Sequence, residues 1–158
     1  MSQAEVAAFL AEERTVTCAT AGPRGWPHLM PLWYVLRDPG DGAPSPRIWA
    51  WTYGASQKVR NLERDPRATL QAEAGERYEE LRGVMIEAHT EIHRDLDIVS
   101  KLGVELLARY AGDSRAGAGG SEDEREAAVR AQAGKRVALQ FVARRTASFD
   151  HRKLGVSY

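Results

Sequence analysis

Between Arg82 and Arg94 the chain reads as one long segment, alternating strictly from Ile86 onward. Val84, Ile86, Ala88, Thr90 and Ile92 fall on one side, and Glu87, His89, Glu91 and His93 on the other. A period of two over that length specifies a long β-strand with one buried and one solvated face. Any fold this chain adopts must therefore supply a core for a long strand. Five further segments read as strands. Thr15–Thr20 is rich in β-branched residues, and His28–Leu36 follows it across the turn chemistry of Ala21–Pro27, so the two form a hairpin. Arg47–Thr52 places Ile48, Ala50 and Thr52 on one face and Trp49 and Trp51 on the other. Ala68–Glu73 and Lys135–Arg145 complete the set. Asp38–Pro46, with three Pro and two Gly, is a loop.

Helices interrupt this series rather than alternating with it. Ser2 and Glu5 form a capping box that opens a helix from about Gln3 to Glu13. Ser56 caps a short helix that Pro66 stops. Asp95 caps a helix to about Tyr110, with Val99, Leu102, Leu106 and Tyr110 inward. A second capping box at Ser121 opens a helix to about Gln132, after the glycine-rich stretch Gly112–Gly120, which reads as a mobile loop around 112–121. Strands that do not alternate strictly with helices argue against a doubly wound parallel sheet, and hairpin links point to a six-stranded antiparallel β-barrel with peripheral helices, an α+β architecture. At 158 residues the chain is one domain, 1–158, ending in a tail from Thr146 to Tyr158.

Charge and composition narrow the function. Twenty-two Lys+Arg balance 22 Asp+Glu, which argues against a nucleic-acid partner. No apolar run approaches the roughly 20 residues of a membrane span, and Met1–Arg14 lacks the basic start and apolar middle of a signal peptide. The single cysteine, Cys18, fits a reducing cytoplasm.

The segment with the most chemical content is Thr52–Arg67. A strand ends, the small-residue turn Gly54-Ala55-Ser56 follows, and a helix begins that carries Lys58 and Arg60. A helix start with a hydroxyl and basic side chains makes a phosphate cradle. The same segment also reads as a solvated surface helix. Four tryptophans, Trp26, Trp33, Trp49 and Trp51, lie close by in sequence and are suited to wall a pocket for a flat ring or to pack in the core. His89 and His93 invite a zinc reading, but residues four apart on a strand stand about 13 Å apart, too far to share one ion. Cys18 sits mid-strand and reads as a buried, inert thiol.

Several motifs together are more specific. Gly25-Trp-Pro-His-Leu-Met-Pro-Leu-Trp-Tyr-Val, Ile48-Trp-Ala-Trp-Thr, and above all Ser56-Gln-Lys-Val-Arg-Asn-Leu-Glu-Arg-Asp-Pro-Arg-Ala resemble the pyridoxamine 5′-phosphate oxidase-like split-barrel family. Leu81-Arg-Gly-Val with Glu-Ala-His-Thr-Glu-Ile resembles its long strand, and Thr146–Leu154 its C-terminal signature, with Phe149 where Trp is common. The resemblance implies a split barrel of the FMN-binding type and a homodimer with sites at the subunit interface. It implies a flavin-type cofactor: coenzyme F420, slightly favoured, or FMN, while some members bind haem. It implies that Lys58 and Ser56, with Gln57 and Arg60 beside them, hold the cofactor phosphate. Trp51 and Thr52 line the approach, and the strand carrying Pro31 and Trp33 runs along the ring system. It further implies that the tail approaches the partner's cofactor, which makes His151 the first choice for a proton donor. The expected activity is hydride transfer to or from a small organic substrate, with a non-catalytic flavin, deazaflavin or haem carrier as the alternative.

Overall fold

The structure, a computed structural model, describes residues 1–38, 46–110 and 122–155. The loop expected over Asp38–Pro46, the mobile stretch Gly112–Gly120 and the capping box at Ser121 fall wholly or largely outside the described residues. In chain order the elements are α1 (Gln3–Glu12), β1 (Val16–Ala21), β2 (Pro27–Leu32), β3 (Tyr34–Arg37), β4 (Arg47–Tyr53), α2 (Gln57–Arg64), β5 (Arg67–Ala74), β6 (Arg82–His93), α3 (Leu96–Tyr110), α4 (Glu122–Ala133) and β7 (Arg136–Asp150). Among these residues no helix is long and apolar enough to cross a membrane.

Among the described residues seven strands, not six, form one antiparallel sheet in the order β2-β1-β5-β6-β7-β4-β3. The difference lies at His28–Leu36, which is not one strand. It breaks at Trp33, so that β2 pairs with β1 and β3 pairs with β4. These two strands are the opposite edges of the sheet, yet one residue separates them. The sheet must curl until its edges meet at Trp33, which makes the split barrel. The hairpin β1–β2 forms as the turn chemistry specifies, and β6 alternates as read, with Val84, Ile86, Ala88 and Thr90 buried and His89 and Glu91 exposed.

Inside the curl lies a core of Phe9, Val16, Cys18, Tyr34, Ile48, Leu70, Val84, Leu139, Phe141 and their neighbours, to which α1 and α2 contribute one apolar face each. A second cluster forms where α3 packs Val99, Leu102, Leu106 and Tyr110 beside Val35 and Ala138, with Trp49 and Trp51 half-buried against it. The capping box of α1 forms at both of its bonds. Asp95 caps α3 by accepting from the N–H groups of Asp97 and Ile98, at 3.1 and 3.0 Å.

The C-terminal tail is a second correction. Thr146–Asp150 continues β7 and pairs with Arg82–Ile86 of β6. The alternation of Ala147 and Phe149 with polar residues is short and weak, so its strand character comes from the long partner β6. A bulge between Glu87 and Ala88 absorbs one extra residue of β7, Arg144. Beyond the strand, Lys153 donates to Glu5 at 2.6 Å and holds that carboxyl down at about 2, so the tail is anchored on α1.

The break at Trp33 leaves backbone polar groups without a ladder partner, and Tyr110 at the end of α3 supplies one. Its hydroxyl accepts from the Tyr34 N–H at 3.1 Å and donates to the Arg14 carbonyl at 2.6 Å, while its ring stacks on Trp33 with centroids 4.4 Å apart. Tyr110→Phe keeps the stack but orphans a buried N–H. It should cost about 1–3 kcal/mol in urea-denaturation stability. A change below about 0.5 kcal/mol would show that the hydroxyl does not hold the seam.

Candidate functional site

A cavity of about 760 Å³ opens beside the seam, between the ends of β2 and β4 on one side and α3 and α4 on the other. That volume lies in the range of small-molecule and cofactor sites. Pro31, Trp33, Trp51, Thr52 and Lys58 line it, together with Gly103, Leu106, Val129, Gln132 and Arg136.

The cavity's chemistry begins with Lys58. Its side chain is buried at 6% exposure, and its ammonium donates to the Thr52 hydroxyl at 3.0 Å. Among the described residues it pairs with no carboxylate, so one hydroxyl serves a group with three donors. Burial pushes its pKa below the ordinary lysine value. The helix that presents Lys58 is fixed from below. Asn61, fully buried, donates to Thr20 on β1 at 3.0 Å, and Val59 and Leu62 enter the core. Ser56 begins α2 but makes no capping bond, and its hydroxyl is buried without a partner.

The aromatic wall is equally defined. Trp51 packs its indole edge on Gly103 of α3, where an added Cβ would stand 3.2 Å from the ring and 2.6 Å from Val129. Only glycine lets α3 approach Trp51 this closely while α4 packs behind it. The Trp51 Nε1–H is buried with no acceptor. The Arg136 guanidinium lies 4.3 Å from the Trp51 ring and 4.2 Å from that of Tyr53.

Of the residues singled out by sequence, Pro31, Trp33, Trp51, Thr52 and Lys58 converge on this cavity. Ser56 lies two residues from Lys58, off the lining. Gln57 and Arg60 are exposed and do not line it; Gln57 donates instead to Asn61 at 2.8 Å. His151 stands where β7 has run on past β4 to pair with Arg82, and it bonds through Nδ1 to the Tyr78 carbonyl at 2.8 Å. Within one chain it is not part of the cavity. Trp26 is exposed at the hairpin, and Trp49 stacks on His93. Cys18 faces Met30, not His28, and desolvation pushes its thiol up to about 12, which makes it inert. Arg136, Gln132 and the walls from α3 and α4 had no local signal. Arg136 reaches the site only because β7 pairs with β4, Arg136 opposite Tyr53.

The family model of pyridoxamine 5′-phosphate oxidase matches residues 2–148. The chain belongs to the pyridoxamine 5′-phosphate oxidase-like family. Among solved members of this fold, the conserved hypothetical protein Rv2991 from Mycobacterium tuberculosis is 41% identical over 100% of this chain and 90% of its own, with a TM-score of 0.82. An F420 reductase is 18% identical over 89% of this chain and 94% of its own, with a TM-score of 0.62. The heme storage protein HutZ from Vibrio cholerae is 15% identical over 93% and 92%, with a TM-score of 0.64. At these lower identities the pyridoxamine 5′-phosphate oxidase-like fold is what is shared. A search of curated proteins finds no match.

The buried lysine sets a pH dependence. Its folded pKa lies below its unfolded value near 10.5, so between the two the unfolded chain binds more protons and stability rises with pH. At neutral pH the desolvated charge is a cost. Lys58→Met should therefore leave the ligand-free protein unchanged or about 1 kcal/mol more stable at pH 7, and should remove part of the alkaline rise. A loss of more than about 1 kcal/mol at pH 7 would show that the ammonium is structural.

Proposed function

We propose that this chain is an oxidoreductase that binds a flavin-type cofactor, coenzyme F420 in preference to FMN, in the cavity beside the seam, and transfers hydride to or from a small organic substrate. The observation that carries this reading is Lys58: a buried ammonium that has no counter-ion among the described residues, on a cavity with an indole wall. A buried cation of this kind fits an anionic ligand, and the cofactor phosphate supplies one. The unpartnered Ser56 hydroxyl beside it and the unpartnered Trp51 N–H fit the same ligand. Haem fits less well, because among the described residues the cavity lining carries no His, Cys, Met or Tyr to serve as an axial ligand.

When bound, the cofactor supplies the hydride chemistry. The chain's residues hold and enclose it. Lys58, with Ser56 at the start of α2 behind it, would take the phosphate, Trp51 and Trp33 would offer the ring a flat surface, and Leu106 and Val129 would keep water from one side. The exposed apolar residues Trp26, Leu29, Met30 and Trp33 along β2 support a homodimer that covers this edge. In such a dimer the partner's tail would complete the site, and His151, its Nδ1–H committed to Tyr78, would offer Nε2 for proton transfer. The charge balance, the thiol chemistry and the absence of a spanning helix among the described residues support a cytoplasmic setting.

Titration of the purified protein with FMN and with F420, followed by tryptophan fluorescence and absorbance, should give saturable one-per-chain binding. Lys58→Ala should weaken it by about 2 kcal/mol, roughly thirtyfold. A carrier would bind without turning over the reduced cofactor when an acceptor is offered. No binding of either cofactor would overturn the reading. Sedimentation should give twice the mass of the chain, and a monomer that still binds tightly would contradict the two-subunit site.

A further inference from the structure

The cavity holds a second cation that the phosphate does not require. Arg136 lies on the opposite side of β4 from Lys58. Lys58 bonds to Thr52, whereas Arg136 sits across from Tyr53 and stacks on Trp51 and Tyr53, the two residues that flank Thr52 and face the other way. Its Nη2 donates to Gln132 at 3.1 Å, and its Nε is buried without an acceptor. Among the described residues Arg136, like Lys58, has no carboxylate partner, and the one carboxylate on the cavity wall is that of Glu124, exposed on α4. Two aromatic faces and an amide therefore hold a planar, permanently charged fork in place, with its charge unanswered. Such a fork is suited to a carboxylate or phosphate oxygen pair. One phosphate bound at Lys58 leaves it unsatisfied.

We propose that Arg136 is a second anion-recognition residue of this cavity, and that the site selects ligands carrying two separate anionic groups, one at Lys58 and one at Arg136. This rests on the cofactor reading above and deepens it. It favours a cofactor whose phosphate is followed by a second anion over one that ends in a single phosphate. FMN is the single-anion probe. Coenzyme F420, whose phosphodiester is followed by carboxylates, is the double-anion probe.

Dissociation constants of the full-length protein for both probes test the inference. The wild-type protein should bind F420 at least about tenfold more tightly than FMN. Arg136→Gln should weaken F420 binding at least about tenfold and FMN binding less than about threefold, with the melting temperature of the ligand-free variant reporting its fold. Arg136→Lys, which keeps the charge, should restore part of the lost F420 affinity. If the glutamine variant does not fold, the wild-type preference decides alone. Equal weakening of both probes or no weakening of either would overturn the inference while leaving the cofactor reading intact, and a wild-type preference for FMN would overturn the inference together with the preference for F420, leaving only flavin-type binding. Binding of neither probe to the wild-type protein would overturn both.

Discussion

Leu32 and Tyr34 belong to opposite edges of one seven-stranded sheet and are separated by a single residue. A flat or gently twisted sheet cannot meet that condition, so the sheet curls. At the place where the curl closes, no ladder joins β2 to β3. The seam is held instead by side chains: Tyr110 answers the Tyr34 N–H, and Arg109 donates to the carbonyls of Ala11 and Glu13 at the end of α1. An opening in a β-barrel that is held by side chains rather than by backbone is a place where a ligand can enter without breaking strands. The cavity lies there.

What the cavity offers follows from charge in a half-dry place. Lys58 and Arg136 both lie against apolar walls, Lys58 on the inner side of β4 and Arg136 on its aromatic side, and among the described residues no carboxylate answers either. Buried cations without partners cost stability, and proteins keep them where a ligand supplies the missing charge. The fixed indole of Trp51, held against Gly103, lies between them and gives the same ligand a flat surface. Charge and shape in this cavity are therefore complementary to the occupant proposed above, an anion carrying a ring.

Local pattern made much of this legible. Alternation in β6, the hairpin chemistry of Ala21–Pro27, the capping box of α1 and the amphipathic face of α3 are written within a few residues each, and the structure keeps them. The place of Lys58 at the start of a helix was legible for the same reason, since strand, turn and helix follow one another there, and the structure puts it on the cavity wall. The break in the strand at Trp33 was not. An apolar and aromatic run gives no sign that its two halves join different edges, because that depends on where β4 lies. Nor was Arg136, which reaches the cavity through the pairing of β7 with β4 across about half of the chain length. The tail from Thr146 to Asp150 read as a free end because its strand character is lent by β6. Gln57 and Arg60 read as site residues because they share a motif with Lys58, whereas helical geometry turns them outward.

The most direct measurement of the central claim is a crystal structure of the protein grown with coenzyme F420 or FMN. The account predicts ligand density in the cavity beside the seam, with a phosphate oxygen within hydrogen-bond distance of the Lys58 ammonium and the ring system against Trp51. Density for the ligand elsewhere on the surface, with Lys58 still bonded only to Thr52, would contradict it.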